Sequence, residues 1–265
     1  FLGSLLFLFW KSRRNIAVEN LKAAVARNAI TTDSDPELII RRNFRNLGKS
    51  FIEIIKIYYG LGAAILNDIE IRGMENFEKA REKGKGIIFI TGHCGNWELI
   101  GIALSAKLTK INGVARPQNN PYLNRIIEKA REKHGNHVIY KKGALKKILT
   151  ALKRKEAVGI LMDQSVIRAE GVITEFLGKK AYTMKMPAVI ARKTGATVLP
   201  VFIRRNNDGH IIEIGEAMEL DKSEDTDRAV LNDTVSFIGR IEEYIRRNPS
   251  EWLWMHRRWK RIHPD

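Results

Sequence analysis

Apolar residues recur at helical spacing through the first quarter of the chain. Residues 13–30 place Ile16, Leu21 and Val25 at positions that predict a helix, and the polar segment 31–36 then ends it. A longer stripe follows between Glu37 and Leu66, and it predicts a second helix. Its apolar face either packs in a core or lies on a bilayer surface. The stripe consists of Phe44, Leu47, Phe51, Ile54, Tyr58, Leu61 and Ile65.

The pattern changes at Asp68, where short β-rich runs begin to alternate with helical ones. The predicted strands are Ile69–Arg72, Gly86–Thr91, Ile111–Ala115, His137–Tyr140, Val158–Met162, Thr197–Arg204 and Ile211–Ile214. The predicted helices are Phe77–Lys83, Asn96–Leu108, Tyr122–His134, Ala144–Lys153, Met184–Lys193 and Asp227–Arg246. This alternation predicts an α/β fold with a largely parallel β-sheet flanked by helices, in which sites gather beyond the carboxyl ends of strands.

The pattern also divides the chain into two regions. Residues 1–66 are predicted to form an N-terminal helical, membrane-associated segment, and residues 67–265 an α/β domain. Phe1–Trp10 is an apolar run of ten residues, whereas a membrane span needs roughly 20. It is either the end of a longer anchor, since the chain does not begin with Met, or a buried helix. Lys11, Arg13 and Arg14 follow, and such a basic flank predicts a domain on the cytoplasmic side.

Composition narrows the class of partner. The net charge is +16 and the sequence pI about 10.0, which favours an anionic partner. Basic residues are spread along the chain, and neither zinc-finger spacing nor an aromatic RNA-binding signature is present. We therefore expect anionic lipid or a membrane surface and no nucleic acid. Cys94 is the single cysteine, which excludes an internal disulfide and a cysteine metal cluster.

The most informative motif runs from Gly92 to Glu98, directly after an apolar strand. It reads Gly-His-Cys-Gly-Asn-Trp-Glu, with His93 near two glycines and Asn96 at a favourable helix N-cap position. On a continuous helix, residues five apart point about 140° away from each other. Because Gly92 and Gly95 allow the chain to bend, we expect His93 to fold back over the helix start and contact Glu98.

A histidine paired with a carboxylate indicates general-base chemistry. Glu98 would fix the tautomer of the His93 ring and stabilise the imidazolium, leaving the other ring nitrogen as the base. The chain has no G-x-S-x-G motif, and a single buried cysteine such as Cys94 is usually inert. The base would therefore act directly on a substrate hydroxyl. The alternative is a histidine that only forms hydrogen bonds within a turn.

Several ordered blocks resemble the lipid A late acyltransferases, the lauroyl and myristoyl transferases of the glycerolipid and lysophospholipid acyltransferase superfamily. The H-x-x-x-x-D/E motif is the mark of that superfamily, with Glu98 where Asp is more usual. The other matching blocks are Arg13–Leu21, Arg116, Asn124–Arg131 with Gly135, Asp163-Gln164, Phe176–Gly178, Thr197–Val201 and Trp254–Arg258.

The resemblance implies a direct transfer of an acyl chain. His93 would deprotonate an acceptor hydroxyl, with Glu98 orienting the ring. The hydroxyl would then attack the thioester carbonyl of an acyl chain carried by acyl carrier protein or coenzyme A. No metal and no bound cofactor are implied.

Further site residues follow from position in the resembling blocks. Arg131 would bind a phosphate or polarise the carbonyl, and Asp163 would organise the acceptor or Arg131. Without the resemblance, these residues fit a solvated helix face and a strand-end turn. The other predicted substrate-binding residues are Arg116, which also fits a plain surface loop, Gln164 and Asn96.

The sequence therefore predicts a membrane-associated O-acyltransferase on the cytoplasmic face of the inner membrane, with a lipid A precursor-like glycolipid as acceptor. The alternatives are another acceptor, such as a phosphatidylinositol mannoside or a lysophospholipid, and a non-enzymatic protein that binds anionic lipid. A nucleic-acid binder would leave the apolar N-terminus without explanation.

Overall fold

The structure, a computed structural model, describes residues 1–140, 143–207 and 209–262. Residues 141–142, 208 and 263–265 of the predicted α/β domain lie outside the described part. The first four helices are α1 (Leu2–Phe9), α2 (Lys11–Ala26), α3 (Pro36–Tyr58) and α4 (Ala63–Asn67). The single helix predicted for residues 37–66 is wrong, because the chain turns at Gly60, whose φ of +86° suits glycine.

Nine strands follow in the described chain. They are β1 (Ile69–Arg72), β2 (Ile87–Thr91), β3 (Ile111–Ala115), β4 (His137–Tyr140), β5 (Ala157–Leu161), β6 (Gly171–Phe176), β7 (Lys179–Met184), β8 (Thr197–Asn206) and β9 (Gly209–Ile214). The helices between and after them are α5 (Met74–Glu82), α6 (Trp97–Lys107), α7 (Pro121–Glu132), α8 (Ala144–Lys153), α9 (Met186–Thr194) and α10 (Thr226–Arg247).

Seven of these strands form one mixed sheet in the order β1-β9-β8-β2-β5-β3-β4. Neighbours are parallel except β8 and β9, which are antiparallel. The predicted largely parallel sheet is confirmed. Every residue of β2 is buried, as expected for a central strand of a parallel sheet that helices cover on both faces.

The hairpin of β6 and β7 was not predicted. Its two strands are antiparallel, and the turn residues Leu177 and Gly178 have φ of +49° and +73°. A two-residue turn with positive φ at both positions normally carries Asn or Gly at the first. Leu177 is not a residue that marks such a turn, which explains why the sequence pattern did not predict the hairpin. Met184 lies in β7, so the helix predicted from Met184 begins at Met186 instead.

The N-terminal helices share a core with the sheet. Phe7, Leu21 and Phe44 belong to the same buried cluster as Phe176 and Trp252. Helix α1 crosses α3 closely, since a Cβ at Gly48 would lie 2.5 Å from the Cα of Gly3.

The rest of the apolar N-terminus faces outward. Phe1, just before α1, is fully exposed, and Phe9 at its end is 79% exposed, whereas Phe7 is buried, so α1 has one buried and one exposed apolar side. Among the described helices, none combines the length and the apolar character that crossing a bilayer requires.

Candidate functional site

His93 lies in the turn between β2 and α6, at the carboxyl edge of the sheet, as predicted. Two glycines shape this turn. A Cβ at Gly92 would lie 3.3 Å from the Cγ of Asp163. At Gly95, φ is +55° and a Cβ would lie 2.4 Å from the carbonyl oxygen of Ile203, so only glycine fits.

The carboxylate that binds the His93 ring is Asp163, which follows β5, the neighbour of β2. Asp163 Oδ1 lies 2.7 Å from His93 Nδ1, and Asp163 Oδ2 accepts a hydrogen bond of 3.0 Å from the His93 backbone N–H. Burial alone would raise the pKa of Asp163, but the charge and hydrogen bonds of His93 hold it well below its usual range. An ionised Asp163 therefore places the ring proton on Nδ1 and leaves Nε2 unprotonated.

The expected contact between His93 and Glu98 is wrong. Glu98 is instead bound by Arg131 of α7, whose Nε and Nη2 donate to its two oxygens at 2.6 and 2.7 Å. Burial would raise the pKa of Glu98, but the charge of Arg131 dominates and the pKa is lowered. The physical reason is that Glu98 stands in the first turn of α6 and points toward α7, whereas the His93 ring turns toward β5.

The two carboxylate pairs are linked through Trp97. Its indole N–H donates to Glu98 Oε1 at 3.1 Å, and its ring packs edge-on against His93 with centroids 5.1 Å apart. Gln164 Nε2 lies 3.1 Å from His93 Nε2, so the predicted residue Gln164 directly contacts the His93 ring. With Nδ1 protonated, Nε2 accepts this hydrogen bond from the Gln164 amide.

The two remaining predicted residues, Arg116 and Asn96, lie in different environments. Arg116 is exposed and follows β3, whose carboxyl end lies on the same edge of the sheet as His93 and Asp163. Asn96 is only 2% exposed. It holds the N-cap position of α6 without a capping hydrogen bond, and its amide donates to Glu53 Oε2 at 2.8 Å. Its side chain supports the turn from inside instead of facing a substrate.

Glu53 centres a polar cluster behind the turn. Arg205 donates to both its oxygens at 2.5 and 2.9 Å, and His210 Nε2 lies 3.4 Å away, at the outer limit of a hydrogen bond. Burial would raise the pKa of Glu53, but His210 and Arg205 lower it to about 2. This cluster joins α3 to β8 and β9 behind the turn that carries His93.

A pH-dependent stability difference is expected from Glu53. Since its folded pKa of about 2 lies below the ordinary 4.5, its stabilisation is present above pH 4.5 and is lost as pH falls towards 2. At about 1.36 kcal/mol per pKa unit, urea unfolding should show the wild type more stable than Glu53→Gln by roughly 3 kcal/mol at pH 6. The gap should narrow towards pH 2.5. Equal slopes of stability against pH for both proteins would contradict this assignment.

The C-terminal segment also reaches the turn, which the sequence did not indicate. The Leu253 N–H donates to the His93 carbonyl at 3.0 Å, and the Gly95 N–H donates to the Glu251 carbonyl at 2.9 Å. Cys94 is 1% exposed, and burial raises its pKa, which disfavours a thiolate nucleophile. Within the described part of the chain, no three His, Cys, Asp or Glu side chains converge as metal ligands would.

Comparison with known proteins identifies relatives over nearly the whole chain. The family pattern described as bacterial lipid A biosynthesis acyltransferase matches residues 1–261. The lipid A biosynthesis palmitoleoyltransferase of Escherichia coli strain K12 is 26% identical over 98% of this chain and 82% of its own length. The lauroyltransferase of the same strain is also 26% identical, over 98% and 83%. A phosphatidylinositol mannoside acyltransferase of Mycolicibacterium smegmatis is 22% identical over 93% and 81%.

Proposed function

The chain belongs to the bacterial lipid A biosynthesis acyltransferase family, and for its transfer of an acyl chain to a lipid A-like acceptor we propose a mechanism, a donor and a location. His93 is the general base and Asp163 is the carboxylate that orients it. The observation that carries the mechanism is the 2.7 Å contact between Asp163 Oδ1 and His93 Nδ1. It leaves Nε2, on a side chain that is 20% exposed, available to a substrate hydroxyl.

The reaction transfers the acyl group directly from the thioester sulfur to the acceptor oxygen. The acceptor hydroxyl takes the place of the Gln164 amide at His93 Nε2 and gives its proton to that nitrogen. Its oxygen attacks the thioester carbonyl carbon, a new C–O bond forms, and the C–S bond breaks. The imidazolium returns the proton to the departing sulfur, so the products are an ester and a free thiol. General-base assistance of this kind contributes about 10²- to 10⁴-fold.

Glu98 acts through Arg131. Nε and Nη2 of Arg131 donate hydrogen bonds to the two oxygens of Glu98, and none of the described residues accepts a hydrogen bond from Nη1. A guanidinium held in this way is oriented before substrate arrives, which reduces the entropy lost on binding a phosphate. We assign Arg131 to an anionic group of the acceptor, with Arg116 at the same edge of the sheet as a second, exposed cation.

The donor is an acyl thioester. The net charge of +16 favours the acidic acyl carrier protein over coenzyme A, because opposite net charges accelerate encounter between proteins. The proposed chemistry uses no metal ion and no bound cofactor, since His93 supplies the base and a thioester is already activated.

The proposed location is the cytoplasmic face of the inner membrane. Leu8 and Phe9 of α1 are exposed, as is Phe1 just before the helix, and the basic start of α2 with Lys11 and Arg13 follows. Exposed apolar side chains beside cations suit the boundary between acyl chains and anionic headgroups.

Lipid mass spectrometry of cells with and without the gene tests the proposed function. We expect a phosphorylated glycolipid to lose the mass of one acyl chain when the gene is removed and to regain it on complementation. The same gain on a phosphatidylinositol mannoside would indicate the alternative acceptor. If no lipid changed mass, the proposed function would be wrong.

A further inference from the structure

The segment after α10 turns back and lies against the catalytic turn. Its residues Glu251 and Leu253 bind the turn through the backbone, and Trp252 forms an antiparallel bridge with Cys94. Between these two backbone contacts, the side chain of Trp252 extends into the protein, where it is fully buried. The segment after α10 is therefore packed against the turn that carries His93.

The indole of Trp252 reaches Asp163. Its Nε1 donates to Asp163 Oδ2 at 2.7 Å, the same oxygen that accepts from the His93 backbone N–H. Two donors on Oδ2 hold the plane of the carboxylate and direct Oδ1 towards His93 Nδ1.

Neighbouring side chains fix the position of the indole. Its ring packs against Phe176, Trp254 and Trp259, with centroids 5.5, 4.7 and 6.4 Å away. The amide of Asn43, on α3, donates to the Trp252 carbonyl at 2.7 Å. The indole N–H cannot leave Asp163 without breaking this packing.

We propose that Trp252 is a positioning residue for acyl transfer, which orients Asp163 and through it the His93 base. The inference rests on the proposed function, because it assumes that His93 is the base. A carboxylate that lost the indole donor would be freer to rotate, and its charge would be less dispersed. The undispersed negative charge of Asp163 would then stabilise the protonated form of the His93 ring more strongly than in the wild type.

The other titratable groups near Asp163 and His93 would not by themselves make acyl transfer depend on pH. Burial lowers the pKa of His256 to about 4 and that of Arg258 to about 10, so the first is neutral and the second cationic between pH 5 and 9. Glu98 stays ionised in its pair with Arg131. Over that range, none of these three side chains changes charge beside Asp163.

A pair of matched variants tests the proposal. Trp252→Phe removes the N–H and keeps an aromatic ring, and Trp254→Phe removes the same atoms from a ring that is also fully buried. The Trp254 indole donates to the Pro249 carbonyl at 2.7 Å, away from Asp163. Rates are measured with acyl-loaded acyl carrier protein and an under-acylated lipid A precursor in detergent micelles.

We expect Trp252→Phe to lower kcat by about 10- to 100-fold, the range for losing a hydrogen bond to a charged group, with little change in KM. Because the base must be neutral, the acid limb of its kcat/KM profile should move to higher pH. Trp254→Phe loses packing against Trp252 but leaves the indole N–H of Trp252 on Asp163, so any fall in its kcat should come without a shift in the pH profile of kcat/KM. Equal losses of kcat with coincident pH profiles in both variants would overturn the proposal.

A second measurement needs no substrate and does not depend on Trp252→Phe folding. The five tryptophans give five indole N–H resonances in a ¹H–¹⁵N spectrum. Asp163→Asn should shift one of them strongly and leave the Trp254 resonance, identified from Trp254→Phe, in place. No shift would refute the contact. A wild-type protein that transfers no acyl chain would refute the proposed function, while the indole shift would still support the contact.

Discussion

Replacement of His93 by alanine should lower the rate of acyl transfer by about 10²- to 10⁴-fold, the usual contribution of a general base. Without the imidazole, nothing at this position removes the proton from the acceptor hydroxyl. The protein should still fold, because Asp163 keeps two of its donors, the backbone N–H of residue 93 and the indole of Trp252. Single-turnover transfer from an acyl-loaded carrier protein measures the loss directly.

The control for this variant is His137→Ala, since His137 is exposed on β4. It should transfer at the wild-type rate. Binding to anionic liposomes should be the same in both variants and should weaken with salt. If His93→Ala transferred acyl chains as fast as the wild type, the general-base mechanism would be wrong and the non-enzymatic lipid-binding interpretation would gain support.

Asp163→Asn is expected to be nearly as damaging, with kcat falling by up to about 10⁴-fold, as when the equivalent carboxylate of a catalytic triad becomes an amide. The indole of Trp252 and the backbone N–H of His93 both donate to Oδ2, so the amide oxygen of the asparagine should turn towards them. Its NH₂ group would then face His93 Nδ1. The neutral ring would have to carry its proton on Nε2, which could no longer act as a base.

Glu98→Gln gives the contrast that separates the two carboxylates. Since Glu98 binds Arg131 and not His93, its loss should act mainly on acceptor binding and raise KM for the phosphorylated acceptor by about 10-fold, in keeping with the loss of a charge-assisted contact. Steady-state kinetics at varied acceptor concentration distinguish the effects. A larger fall in kcat for Glu98→Gln than for Asp163→Asn would restore Glu98 as the partner of the base.

Local patterns were sufficient to predict the sheet and the position of His93. The alternation of strands and helices after Asp68 predicted the parallel sheet, and the apolar run before Gly92 placed His93 at its carboxyl edge. Periodicity and turn chemistry act between residues close in sequence, so the sequence carries them directly. The hairpin around Leu177 was not predicted, because its turn lacks the residues that normally mark a two-residue hairpin turn.

The partner of His93 depended on contacts between distant parts of the chain. Asp163 is 70 residues from His93 and reaches it because β5 pairs with β2 in register, Thr91 opposite Leu161. Glu98 is close in sequence, but it faces α7 across the first turn of α6, where Arg131 binds it. Residue types and spacing by themselves placed His93 after one apolar strand and Asp163 after another, at strand ends of the predicted sheet. Only tertiary structure decided which carboxylate binds His93, because strand order and helix packing, not distance along the chain, set which side chains touch.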